Sequence, residues 1–330
     1  MIWLTWRQFR TQAIVAAIAL AALAAFLLYL GFEIRHDYTS DVVNCAPDDC
    51  TISRRLFADR YQAPTEIISL LLIAVPGLIG VFWGAPLVAR ELETRTDRLV
   101  WNQSVTRRRW LGVKLGLLGA AAVAVTGGYS LLLTWSASRY DQWVGERFAA
   151  PNFGARGVVP LGYTAFAFVL GVVVGLLVRR TVASMAIVVA LYTILQIVVP
   201  TAVRAHLMAP VTATVAVNKE SLDRAHGLGM NQTSARIMGY TMPNAWSTDS
   251  VQEIYNADGT PYTAAQNKTC MTGDMAGDFD CLATRNLHFQ YTYQPGSRYW
   301  PFQWIELSGY LVLTALLTGF SFWWVRRRVS

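Results

Sequence analysis

Six uncharged, strongly apolar runs limit what this chain can fold into: Ala13–Phe32, Ile67–Ala89, Leu115–Ser138, Val158–Val178, Thr181–Pro200 and Leu307–Val325. Each is long enough for a helix rising about 1.5 Å per residue to cross roughly 30 Å of hydrocarbon. Within lipid every peptide group must find its partner inside the structure, so runs of this length are read as helices. The composition agrees, with 54% of the 330 residues hydrophobic and 15% charged. Such a chain lacks the polar surface to coat a water-soluble globule. The expected fold is therefore an all-α transmembrane bundle.

Arginine placement sets the expected orientation. Arg7 and Arg10 precede the first run, Arg107, Arg108 and Arg109 the third, Arg179 and Arg180 separate the fourth from the fifth, and Arg326, Arg327 and Arg328 follow the sixth. With six crossings all four clusters fall on one side, which the positive-inside rule makes the cytoplasm, with both termini there. The first run is too long for a signal peptide and lacks a small-residue cleavage site, so it is read as a retained anchor. The net charge of +7 is then a property of short inner loops facing anionic lipid, and gives no ground for nucleic-acid binding.

Cysteines test the topology separately, because disulfides persist in oxidising compartments. Cys45 and Cys50 fall in the first expected outer loop, Cys270 and Cys281 in the last. Four cysteines allow three pairings; the local pairs Cys45–Cys50 and Cys270–Cys281 each close a short loop and are expected. A metal site competes weakly, since the spacings are not C-x-x-C and only His36 and His288 lie near a cysteine.

Residues 1–12, MIWLTWRQFRTQ, space Trp3, Trp6 and Phe9 as on a helix face with arginines between, which reads either as an interfacial amphipathic helix or as the aromatic and basic flank of the first span. Residues 13–200 then hold spans one to five, with an outer loop of some thirty residues after the first and an inner loop at 90–110. The second span carries Pro76, Gly77, Gly80, Gly84 and Pro86, which predict a bend or a close helix approach. Gly112-x-x-x-Gly116 and Gly171-x-x-x-Gly175 repeat the small-residue spacing. Residues 201–303 form a polar segment of about a hundred residues, large enough for a small extracellular domain. In it Asp258-Gly259 and Pro295-Gly296 mark turns and LHFQYTYQP alternates like a strand. Residues 304–330 are the sixth span and a basic tail.

Ion-driven transport and intramembrane catalysis need ionisable groups in the membrane. The six runs contain no Asp, Glu, Lys, Arg or His; Glu66 and Glu306 stand at their outer edges, and Gln196, Tyr129, Tyr163 and Tyr192 are the main interior polar groups. No G-x-x-x-x-G-K-[ST] loop, H-E-x-x-H or G-x-S-x-G pattern occurs. The chain is thus expected to be neither an enzyme nor a self-powered pump. The acids Asp274, Asp278 and Asp280 read as a solvated loop.

The inner loop remains. From Arg90 to Trp101, Glu91 and Arg95 form an i,i+4 acid–base pair, and Leu92, Leu99 and Val100 share a face, leaving Glu93, Asp97 and Arg98 on the others. A short helix fastened at both ends to spans can pass a push from a soluble partner to both; the alternative is a solvated turn.

MIWLTWRQFR, GAPLVARELE, NQSVTRRRWLGVKL, YQPGSRYWPFQWIE and the terminal FWWVRRR together resemble the ABC-2 type permease subunits common in actinobacteria. The resemblance implies a six-helix, type V exporter-like bundle with the roughly 100-residue extracellular domain between spans five and six. It also implies a half-transporter of the bacterial plasma membrane that pairs with a second permease copy or paralogue and with two copies of an ABC ATPase. ATP and magnesium would bind that partner, and no cofactor this chain. The ATPase coupling residues would be Glu91, Leu92, Glu93, Arg95, Asp97, Arg98, Leu99 and Trp101, with the Arg179–Arg180 turn a secondary contact. An amphipathic or hydrophobic cargo, such as an antibiotic, lipid or peptide, fits the apolar spans. The rival reading is a sensor or mechanotransmission module signalling through the outer domain; an enzyme of the outer leaflet ranks last.

Overall fold

The computed structural model describes residues 2–44, 50–94, 106–145, 147–230, 234–242, 244–247, 249–268, 270 and 280–328. The chain divides into two units, one of Met1–Val144, Ala150–Arg204 and Pro301–Ser330, the other of Gly145–Ala149 and Ala205–Trp300. In chain order the first unit holds helices α1 (Ile2–Asp37), α2 (Cys50–Ile79), α3 (Ala85–Glu93), α4 (Arg107–Ser136), α5 (Ser138–Val144), α6 (Ala150–Ala155), α7 (Val159–Val178) and α8 (Thr181–Val198). The second holds β1 (Val211–Ala216), α9 (Lys219–Asp223), β2 (Gly227–Met230), β3 (Ala235–Met238), β4 (Ala245–Ser247), β5 (Val251–Tyr255), α10 (Ala264–Asn267) and β6 (His288–Pro295). Helix α11 (Tyr299–Arg328) then returns the chain to the first.

Among the described residues five helical segments are long and apolar enough to cross a membrane: Ile52–Glu93, Arg108–Ser136, Val159–Val178, Thr181–His206 and Gly296–Arg327. The run Ala13–Phe32 lies inside the 36-residue α1, which runs unbroken from Ile2. The outer loop expected after it is largely helical instead. α1 extends to Asp37 and a π-helical turn covers Tyr38–Val43, while α2 starts at Cys50. Asp37 accounts for this, since its Oδ2 accepts from Arg60 at 2.6 Å and from the Tyr61 hydroxyl at 2.7 Å, giving two polar helix ends a shared anchor.

The glycines and prolines of the second span produce a π-helical turn at Gly80–Gly84 between α2 and α3. Pro86 has no N–H for the carbonyl four residues back and would crowd it in a regular helix, and a widened turn relieves that conflict. The same stretch packs backbone to backbone on α7. A Cβ on Gly84 would stand 2.5 Å from the Phe168 carbonyl oxygen, and one on Gly175 2.7 Å from that of Ala85. Gly171-x-x-x-Gly175 is therefore used within the chain, letting α7 become the buried axis of the bundle.

The second unit corrects the all-α expectation. It is built on a six-stranded antiparallel sheet ordered β1-β6-β5-β3-β2, with β4 also on β6. β6 is the strand that LHFQYTYQP predicts, and its alternation buries Phe289 and Tyr291 against Tyr240, whose ring lies 5.0 Å from each in an edge-on arrangement. Ile237, Ile254, Tyr262, Leu282 and Leu287 complete this core. A disulfide joins Cys270 to Cys281, Cα atoms 5.4 Å apart. Cys45 lies outside the described residues, and with it the Cys45–Cys50 pair.

Candidate functional site

α3 ends on two carboxylates that reach different helices. Glu93 Oε2 accepts from the Thr181 backbone N–H at 3.0 Å and from the Thr181 hydroxyl at 2.7 Å. Thr181 opens α8, so the carboxylate satisfies an otherwise unpaired helix-start donor and meets the positive end of the helix dipole. The chain gets there in a two-residue reversal. Arg179 closes α7 in the left-handed region at φ 57° and donates its N–H to the Gly175 carbonyl at 3.1 Å. That conformation costs a residue with a side chain roughly 1–2 kcal/mol, so the contacts around it must hold it.

Glu91 Oε1 accepts from Lys114 Nζ at 2.5 Å. The ammonium also reaches the Leu87 carbonyl at 3.3 Å and lies 4.5 Å from the centre of the Trp110 ring. α4, which carries Lys114 and Trp110, begins on Thr106, whose Oγ1 accepts from the Arg109 N–H at 3.4 Å as an N-cap. Glu91 thus fastens α3 to α4 as Glu93 fastens it to α8. Leu92 packs on the cluster of Val88, Trp110 and Leu111. Of the other expected coupling residues, Arg95, Asp97, Arg98, Leu99 and Trp101 lie outside the described residues. Sequence reasoning missed Lys114 and Thr181, although a lone lysine two turns inside an apolar helix signals a need for a partner.

The opposite end of the bundle lies about 22 Å away along α7 at 1.5 Å per residue, and there a second polar cluster stands just beyond the uncharged runs. Arg204 and Glu306, assigned from sequence to the outer segment and to a span edge, lie within the helical segments Thr181–His206 and Gly296–Arg327. Their side chains are 1% and 2% exposed. Arg204 donates through Nε to Glu306 Oε2 at 2.9 Å and through Nη2 to Oε1 at 3.2 Å, a two-pronged pair. The Tyr163 hydroxyl of α7 donates to the same Oε1 at 2.5 Å, and the guanidinium lies 4.0 Å from the Phe153 ring centre. One turn earlier on α11, Gln303 Oε1 accepts from the N–H groups of Val158 and Val159 at 3.0 Å each, while its Nε2 donates to the Phe153 carbonyl at 3.0 Å. Gln303 therefore supplies the acceptor that the start of α7 needs. A further buried pair joins Arg156 to Asp141. Arg204, Glu306, Tyr163 and Gln303 are paired with one another or with backbone and join α6, α7, α11 and the turn Arg204–His206 that follows α8, whereas Arg156 keeps Nε and Nη2 buried without a hydrogen-bond partner; among the described residues no group of His, Cys, Asp and Glu side chains is arranged to hold a metal.

Several apolar helices, one backbone-packed axis and charge confined to the bundle ends define a polytopic membrane protein of the helix-bundle class. The chain belongs to the ABC-2 membrane transporter related family, which matches residues 17–204 and so takes in both carboxylate tethers. Membership makes it the membrane component of an ABC transporter, with ATP hydrolysis on a partner ATPase. No curated protein and no solved structure matches it.

Proposed function

We propose that this chain is the permease half of an ATP-driven exporter of the bacterial plasma membrane, assembled with a second permease copy or paralogue and two ATPase subunits. The observation that carries the reading is the pair of tethers at Glu91 and Glu93. They stand just before residues 95–105, and Thr106 stands just after them as the cap of α4. A push on that segment reaches α3 directly, α4 through Lys114 and the N-cap, and α8 through Thr181, because packed helices move as units. α1 adds a sixth crossing, the arginine clusters face the cytoplasm with both termini, and the sheet unit lies outside the cell, where its disulfide is stable. The ATPase closes on ATP and magnesium, displaces that segment and switches the membrane cavity from inward to outward access. The mostly apolar helices suit an amphipathic or hydrophobic cargo.

The test is co-purification with the ATPase encoded nearby, followed by charge reversal at Glu91, Glu93 and Arg98. Cargo-stimulated hydrolysis is expected to fall while the complex still forms. Unchanged hydrolysis and yield would overturn the coupling role. The self-contained core and disulfide of the sheet unit favour a second reading, signalling rather than transport, which a vesicle flux assay separates by showing hydrolysis without cargo movement.

A further inference from the structure

The two small-residue motifs meet different surroundings. At Gly116 an added Cβ would meet nothing within 4 Å, and at Gly112 only the Phe322 ring at 3.7 Å. The space belongs to a groove of about 410 Å³ between α4, α7 and α11, lined by Gly112, Gly116, Val123, Val169, Thr314 and Phe322. Its walls are apolar; the Thr314 hydroxyl is taken up by the Tyr310 carbonyl at 2.7 Å. From Gly112 to Val123 the groove follows α4 for about 16 Å at 1.5 Å per residue, close to half of a roughly 30 Å hydrocarbon core.

One end of this groove is strongly basic. Arg108 and Arg109 lie one turn before Gly112 on α4, and Arg326 lies one turn after Phe322 on α11, spacings that keep them on the lining faces. All three are exposed, as is the neighbouring Arg327, whose guanidinium lies 5.7 Å from the Trp323 ring centre. None of the four forms an ion pair among the described residues.

We infer that the groove seats one acyl chain of an anionic phospholipid in a single leaflet, with its phosphate held by Arg108, Arg109, Arg326 and Arg327. An apolar slot of one leaflet's depth with a cationic mouth matches that molecule in length, polarity and charge. A second copy of the chain fits less well. A two-fold contact about the membrane normal would bring both arginine sets together at the same depth, where like charges repel.

Native mass spectrometry of the delipidated full-length chain in detergent tests this, with palmitoyl-oleoyl phosphatidylglycerol and phosphatidylcholine as probes. Phosphatidylglycerol is expected to bind at least about tenfold more tightly. Arg108→Gln with Arg326→Gln should remove most of that preference, at about fivefold per arginine. Gly116→Leu, placed in open space, should weaken both lipids with the melting temperature unchanged. Equal binding of the two lipids by the wild type would overturn the inference, and so would a Gly116→Leu protein that keeps both affinities. Loss of a dimer in Gly116→Leu with lipid binding intact would assign the groove to a second copy instead. The arginine variants alter only exposed side chains, so they decide the question even if Gly116→Leu fails to fold.

Discussion

The two ends of the bundle hold charge in opposite ways. At the α3 end the side chains of Glu91 and Lys114 remain 32% and 20% exposed, and Glu93 is exposed against Thr181. At the other end Arg204 and Glu306 are almost wholly removed from solvent and hydrogen-bonded through both carboxylate oxygens. The partly hydrated Glu91–Lys114 tether is worth about 0–1 kcal/mol, because water competes for both partners, and water screens Glu93 further still. A buried pair gains little over an apolar substitute, but losing one partner strands the other charge at a cost of about 3–5 kcal/mol. One end is therefore cheap to rearrange and the other is held fast. The proposed drive through residues 94–106 requires that asymmetry, because a stroke displaces helices only relative to a point that stays put.

Breaking the fixed end should have the largest effect. Glu306→Ala is expected to lower stability by about 3–5 kcal/mol, measured as the melting temperature in detergent. Arg204→Met in the same chain should restore much of that loss by removing the stranded charge. A Glu306→Ala protein that melts like the wild type would show that the pair does not anchor the bundle. Next comes the glycine axis. Gly171→Val forces a side chain into the backbone of the turn that joins α2 to α3, and overpacking of this kind costs about 1–3 kcal/mol. Gly116→Leu is its control, with open space at the same motif spacing.

At the α3 end the effect should show in the proposed coupling rather than in stability. Glu93→Gln keeps a carbonyl acceptor for Thr181 but loses the charge at the α8 start, and water screens that charge. The melting temperature should barely move, whereas cargo-stimulated hydrolysis should drop. A large loss of stability with coupling intact would reverse the roles assigned to the two ends.

The sequence exposed the bundle more fully than its fixed point. Long apolar runs report spans directly, and the glycines and prolines of the second span predict a bend or a close helix approach, met by the π-helical turn and by the backbone contact with α7. The Arg204–Glu306 pairing escaped because Arg204 falls in the polar segment beyond the fifth run, and because the pair joins residues 102 apart, which no local pattern records. The stretch from Cys50 read as a loop because Arg54, Arg55, Asp59 and Arg60 interrupt its hydropathy; Asp37 gives Arg60 its partner. In the sheet, β6 alternates over eight residues and was predictable, whereas β4 spans three residues with no buried face. Such a strand exists only because β6 pairs with it.

The smallest expected effect extends the comparison to a charge with no burial at all. Asp258, exposed in the turn after β5, accepts through Oδ1 from the Thr260 hydroxyl at 2.6 Å and from its N–H at 3.0 Å. These bonds favour the ionised form, the hydroxyl bond first, and hold the carboxyl below its ordinary value of 3.8. A depressed folded value stabilises the native state at pH above the ordinary value, and that contribution is lost as pH falls through the lowered one. The melting temperature of Asp258→Asn should therefore lie slightly below that of the wild type at pH 7, with the gap closing below about pH 4. Hydration screens the group, so the gap should be the smallest of the series. If it rivalled the Glu306→Ala effect, burial would not be what separates the fixed charges of this protein from the movable ones.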